Sequence, residues 1–313
     1  MTRQKTFKRR VRERMERTGE SYVSARVALI GEEPVGAHRE TSALKFALAD
    51  AGIEISEPLL LIIAGGAGAA CMSFRYEAAE FTHFHLSGWN PFQSDVVAAV
   101  ERLKLTPDIH ETGGAKTAEK ALRERLESRV QIAWVEDYSV LAVAAVDDTT
   151  AKVYDRRLTS IPAEELTERR SRIRKQKHRL LAIEPGEPDI DGAVRAGLIA
   201  CANGAVNPPS PGMSLDGIAR WADELDKGWP KFPPGKHRDG ALSEIRAATR
   251  DGLLRHLQAQ GLREAGLAEL AARTEQLARE WQALPDADDL ASAVRALHAK
   301  EVETVEIMKA LLL

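Results

Sequence analysis

Between residues 130 and 155 the chain carries three short runs, VQIAWV (130–135), YSVLAVAAV (138–146) and AKVYD (151–155). They are rich in β-branched and aromatic residues, and Asp147, Asp148, Thr149 and Thr150 supply a turn between the last two. Strands this close in sequence pair side by side, and the apolar faces they create must be covered by other elements. A further strand is expected in HRLLAI (178–183), after a charged helix over about 163–176.

The covering elements are legible on both sides. Upstream, an apolar helix is expected from Thr41 to Ala51, closed by Gly52. Ser56, Glu57 and Pro58 open a second, whose run LLLIIA leads into GGAGAA (65–70). CMSFRYEAAEFTHFHL (71–86) reads as strand-rich, and helices follow from Ser94 to about Leu103 and over 116–128. Downstream, EPGEPDID (184–191) has the composition of a linker. Beyond it helices fall near 190–202, 213–226, 240–260, 263–282 and 286–311. The fold class expected is α+β, with an α+β domain over 31–186 and an all-α domain over 187–313. A basic helical extension, residues 1–30, precedes them. Its first helix carries a narrow stripe of Phe7, Val11 and Met15, and its second spans Tyr22 to Ile30.

Composition excludes several classes of protein. An apolar share of 44% supports a core, and a net charge of −3 argues against binding nucleic acid over the whole surface. The charge is uneven, because residues 1–26 hold nine Lys/Arg against three Asp/Glu. Two distant cysteines, Cys71 and Cys201, make no disulfide framework and fit a reducing, cytoplasmic setting. The apolar run Leu59 to Ala64 is too short to span a bilayer, and the basic start has no apolar stretch of a secretory signal behind it.

Five stretches in order, HRETSALKFAL, SEPLLLIIAGGAGAA, ETGGAKTAEKAL, SVLAVAAVDDTTAKVYDRR and KHRLLAIEP, carry a resemblance. Past the linker, AVRAGLIACANG and SLDGIARWADELDKGWPKF continue it. The order resembles the butirosin-biosynthesis acyltransferase family, the BtrH-type N-terminal domain with its associated helical C-terminal domain, over residues 33–311. The resemblance implies a papain-like fold and acyl transfer from a carrier-protein thioester to an amine. Such chemistry uses a Cys at a helix N-terminus, a His on a strand, and an Asp or Asn that orients the His. In this chain the Cys position is Arg39 and the His position is Ser139, beside Tyr138. The third position is kept, as Asp155. Arginine is always protonated and is no nucleophile, so the expected thioester exchange has lost its parts.

The resemblance therefore implies a catalytically degenerate protein, linked to specialised metabolism, that binds a small molecule or peptide in the former active-site cleft. The residues expected around that cleft are His38, Arg39, Glu40, Thr41, Gly65, Gly66, Tyr138, Ser139 and Asp155. Arg39 at a helix start suits an anionic ligand; the plain reading is a salt bridge to Glu40 or Asp155. Gly65 and Gly66 permit close backbone approach, to a ligand or to protein. The alternative is an active acyl- or amide-transferring enzyme with a relocated nucleophile, Cys71 or Thr41, with Asp155 retained. Against it, buried cysteines are usually inert, and Thr41 and Ser42 usually serve the helix itself. A further alternative is a nucleic-acid-associated regulator that uses the basic residues 3–17, and a homo-oligomer is open. His83 and His85 lack a third ligand, so no metal is expected, and no cofactor motif is present. Lys116, before a helix start, meets an anion or merely follows an ordinary turn.

Overall fold

The computed structural model describes residues 3–18, 25, 29, 35–68, 70–75, 82–88, 95–135, 139–172, 174–207, 214–228 and 236–312. In chain order these form α1 (Arg3–Thr18), α2 (Arg39–Asp50), α3 (Glu57–Ala64), β1 (Ala70–Arg75), β2 (Thr82–Ser87) and α4 (Val96–Arg102). Then come β3 (Pro107–His110), α5 (Ala115–Leu126), β4 (Gln131–Trp134), β5 (Val140–Val146), β6 (Thr150–Asp155) and β7 (Arg157–Pro162). They are followed by α6 (Ala163–Ser171), β8 (Leu180–Ile183), α7 (Ile190–Val206), α8 (Leu215–Gly228), α9 (Lys236–Thr249), α10 (Arg255–Glu264), α11 (Ala268–Ala283) and α12 (Leu290–Leu312). The class is α+β. The expected helix over Tyr22 to Ile30, the cap at Ser94 and the residue Tyr138 lie largely or wholly outside the described residues.

The chain divides into two compact units. The first combines Met1–Leu60 with Val96–Ile190. Its centre is a six-stranded sheet in the order β3-β8-β4-β5-β6-β7, antiparallel at every pairing. Every residue of β4 and β8 is buried, because helices cover both faces of the sheet. On one face Leu141, Val143, Val153 and Leu180 pack with Leu122 and Leu126 of α5 and Leu166 of α6. On the other lies α2, where Phe46 stacks on Tyr154 at 4.6 Å between ring centroids. Two strands, β3 and β7, have no clear signal in the sequence. PDIH is four residues long and begins with Pro, and RLTSIP alternates between exposed and half-buried residues at the sheet edge.

The second unit combines Leu61–Asp95 with Asp191–Leu313. It is not all helical, since the hairpin of β1 and β2 belongs to it, paired from Ala70↔Ser87 to Arg75↔Thr82. Ile62, Cys71 and Leu86 from the 61–95 segment pack with Leu198, Trp221, Trp281 and Val294 from the helices. The helix expected over 240–260 is broken. Gly252, Leu253 and Leu254 take left-handed φ values of 62, 54 and 64° in succession, which no helix can propagate. The chain therefore turns at 250–254, between α9 and α10.

Candidate ligand site

Ladder register gathers the candidate residues of the first unit. Trp134 pairs with Val140, Ala142 with Tyr154, Ala133 with Leu180 and Leu180 with His110. The ends of β3, β4 and β6 and the starts of β5 and β8 therefore share one end of the sheet. The N-terminus of α2 lies there too, since Arg39 Nε donates to Asp155 Oδ1 at 2.9 Å. The other end of α2 is fixed by Val130 N–H, which donates to Asp50 Oδ2 at 2.9 Å.

Glu57 organises this helix start. Its carboxylate accepts the backbone N–H groups of Ala37 (3.0 Å) and His38 (2.8 Å) and the hydroxyls of Thr41 (3.0 Å) and Ser42 (2.8 Å). Glu57 is thus a buried carboxylate satisfied from four sides. The sequence marked it only as the start of α3, which Ser56 Oγ does cap by accepting Leu59 N–H at 3.3 Å. Close packing here excludes a side chain at 36: a Cβ on Gly36 would overlap Ser42 Oγ.

A second carboxylate, Glu40, meets His38 Nε2 at 2.9 Å, and His38 Nδ1 lies 3.3 Å from Thr41 Oγ1. Burial opposes ionisation of Glu40. The hydrogen bond and charge of His38, its own backbone N–H and nearby Arg39 outweigh that and hold its carboxyl below the ordinary value. The positive end of α2 is therefore already served by two carboxylates of the protein itself. An anion bound at its backbone N–H groups would meet both of them.

Arg39 remains open to a ligand. It is 38% exposed and its Nε is held by Asp155, itself 29% exposed. Among the described residues its two Nη groups and Asp155 Oδ2 have no hydrogen-bond partner. The pair offers donors and an acceptor side by side, so it suits a polar ligand with both kinds of group. Ser139 is half-buried at the start of β5, and its carbonyl accepts Val135 N–H at 2.9 Å. Two residues at this sheet end were not picked out from the sequence. The Arg179 guanidinium sits over the Trp134 ring at 5.4 Å and pairs with Glu111 at 2.6 Å.

The remaining candidates fall elsewhere or are closed off. Thr41 is fully buried, its hydroxyl committed to Glu57. Gly65 and Gly66 belong to the second unit, where they end α3 with N–H bonds back to Ile62 and Leu61. Gly66, at φ 73°, approaches protein: a Cβ there would sit 2.7 Å from Cys201 Sγ. Cys71, in β1, is 3% exposed; burial pushes its thiol up to about 12, only partly offset by Arg220. Burial likewise pushes Cys201 up to about 11. Neither thiol is available as a thiolate near neutral pH. Lys116 is exposed in the first turn of α5, with no ion pair among the described residues. His83 and His85 stand opposite Phe74 and Met72 in the hairpin, and no metal-ligating trio gathers among the described residues.

No family model, curated protein or solved structure matches the chain. Among the described residues, no helix is long and apolar enough to cross a membrane.

Proposed function

We propose that the chain is a papain-like, BtrH-type protein whose thiol chemistry has given way to ligand binding. The ligand is a small molecule or peptide held at the sheet end where α2 begins. One observation carries the reading: the residue at the expected nucleophile position, Arg39, is ion-paired to Asp155, the expected orienting carboxylate. The pair occupies two of the three positions that thiol catalysis needs, and both cysteines of the chain lie in the other unit. A relocated thiol has little support, since Cys71 is buried and its thiol rises to about 12.

Arg39 would bind an acceptor group of the ligand through Nη1 and Nη2 while Asp155 fixes the guanidinium by its Nε. Asp155 Oδ2 would take a donor. A charge-assisted contact of this type contributes about 1.5–3 kcal/mol in all, so Arg39→Ala should weaken binding by roughly 10- to 100-fold. The test is mass spectrometry of small molecules released on denaturing the purified protein. A compound that co-purifies with the wild type and is lost from Arg39→Ala supports the reading. An acyl adduct on Cys71 or Thr41 overturns it in favour of an enzyme.

A further inference from the structure

The six-stranded sheet ends in β3 on one side and β7 on the other, and the two edges differ. Glu184 N–H donates to Thr106 C=O at 3.2 Å, just outside the ladder of β3 with β8. Hydrogen-bonded and open pairs alternate along an antiparallel ladder, so the outward residues of β3 are Pro107 and Ile109. Pro107 has no N–H, and the strand is four residues long. Shortness and proline are ordinary means of keeping a further strand off an edge.

The strand β7 has neither protection. It runs for six residues in unbroken register with β6, from Thr150↔Pro162 to Asp155↔Arg157, and its one proline is its last residue. Ala163 N–H donates to Thr149 C=O at 3.0 Å, which sets the alternation here. Arg157, Thr159 and Ile161 bond inward to β6, and Leu158 and Ser160 turn N–H and C=O outward. Those outward groups have no partner among the described residues. The open row is bounded at both ends. Pro162 has no N–H to give, and Arg156 C=O already accepts Gly36 N–H at 2.6 Å.

Charge marks the two ends with opposite signs. At the start, Arg156 and Arg157 are exposed and make no ion pair among the described residues, because the nearby Asp155 is held by Arg39. Residues 158–161, LTSI, are uncharged. Just past the end, in the first turn of α6, Glu164 is exposed and has no ion pair among the described residues. Glu165 beside it is 45% exposed, with a loose 3.8 Å contact to Arg169. A strand of this pattern complements itself when turned end for end. Parallel pairing would set arginine beside arginine.

We infer that the edge of β7 is the interface between two copies of this chain, paired antiparallel about a two-fold axis at Thr159. Leu158 of each copy falls opposite Ser160 of the other, and their outward groups exchange N–H···O bonds in both directions. Pro162, with no N–H, falls opposite Arg156, whose C=O is taken. Arg157 falls opposite Ile161, on the face where Ile161 packs with Leu166 of α6, and so meets the first turn of the other copy's α6 with Glu164. Both copies spend the same edge, so assembly closes at two. An unrelated strand can use the same backbone groups; the two charged ends single out a second copy.

The inference does not rest on the ligand site at Arg39. Sedimentation velocity of the full chain over a concentration series tests it, with a monomer–dimer equilibrium expected. Ser160→Pro removes an outward N–H and no bond to β6, and should raise the dimer Kd at least about tenfold. Arg157→Glu should weaken the dimer by roughly tenfold, and adding Glu164→Arg in the same chain should restore it to within about threefold. Melting curves show which variants fold; if Ser160→Pro does not, the charge swap alone decides. A chain that is monomeric at every concentration overturns the inference. So does a dimer indifferent to a folded Ser160→Pro, or a charge swap that restores nothing.

Discussion

Glu57 and Glu40 sit one helix start apart and do different work. Glu57 closes the loop of Ala37 and His38 onto α2 and ties down two hydroxyls of the first turn. Glu40 is tied to His38, and this coupling reaches into pH. Its carboxyl titrates below the ordinary 4.5 in the folded chain, so ionised Glu40 favours folding. That contribution is complete above the unfolded value and disappears as pH falls through the lower, folded value. Glu40→Gln should therefore lower stability by about 1 kcal/mol at neutral pH. In urea titrations the difference from wild type should begin to shrink as pH falls below 4.5 and vanish once pH lies below the lower, folded value. A difference that persists unchanged at acid pH would show that the carboxylate's charge is not what stabilises the turn.

At the scale of elements, close backbone approach decides how the helices of the second unit meet. A Cβ on Gly197 of α7 would overlap the carbonyl oxygen of Ile62, next to its neighbour Ile63 in α3. The obstacle is backbone, so it cannot swing aside like a side chain. Gly197→Ala should raise helix propensity and still destabilise the chain by about 3 kcal/mol, because overpacking exceeds the propensity gain. A chemical denaturation midpoint measures it, and a stabilised variant would mean that α3 and α7 do not cross at this residue. The same unit holds a buried ion pair, Arg255 with Glu301 at 2.9 Å, each 4% exposed. Trp281 Nε1 donates to Glu301 at 2.8 Å, and Arg255 donates to the carbonyl of Gly68 at 3.2 Å. The carbonyl of Gly68 is thereby tied to α10, whose Arg255 is held in turn by Glu301 of α12.

For the whole molecule, the chain passes between the two units three times, after Leu60, Asp95 and Ile190. The linker-like EPGEPDID therefore marks only one of the crossings. A fragment of residues 187–313 would lack Ile62, Cys71 and Leu86, which share a core with Trp221 and Trp281. Burial of such side chains contributes roughly 1.5–3 kcal/mol each, a large part of a small unit's net stability. The fragment should bind a hydrophobic dye and melt without a sharp transition. Cooperative unfolding with no dye binding would show that the helices fold without the 61–95 segment.

What depends on spacing along the chain was legible. The three central strands, the helix α2 with Gly52 past its end at φ 83°, and the start of α3 at Ser56 follow from short periodicities and caps. So did the absence of a thiol at residue 39, and a salt bridge from Arg39 to Asp155 as one of two options. The edge strands β3 and β7, the break at 250–254 and the second role of Glu57 were not legible. Apart from β7, which pairs with the β6 just before it, each is decided by partners far away in sequence: β8 beside β3, Ala278 against Gly252, a loop twenty residues upstream of Glu57. Local pattern sets which residues prefer to be helical, extended or buried. Which carboxylate meets which donor, and which segment completes which core, is set only when distant parts of the chain close-pack.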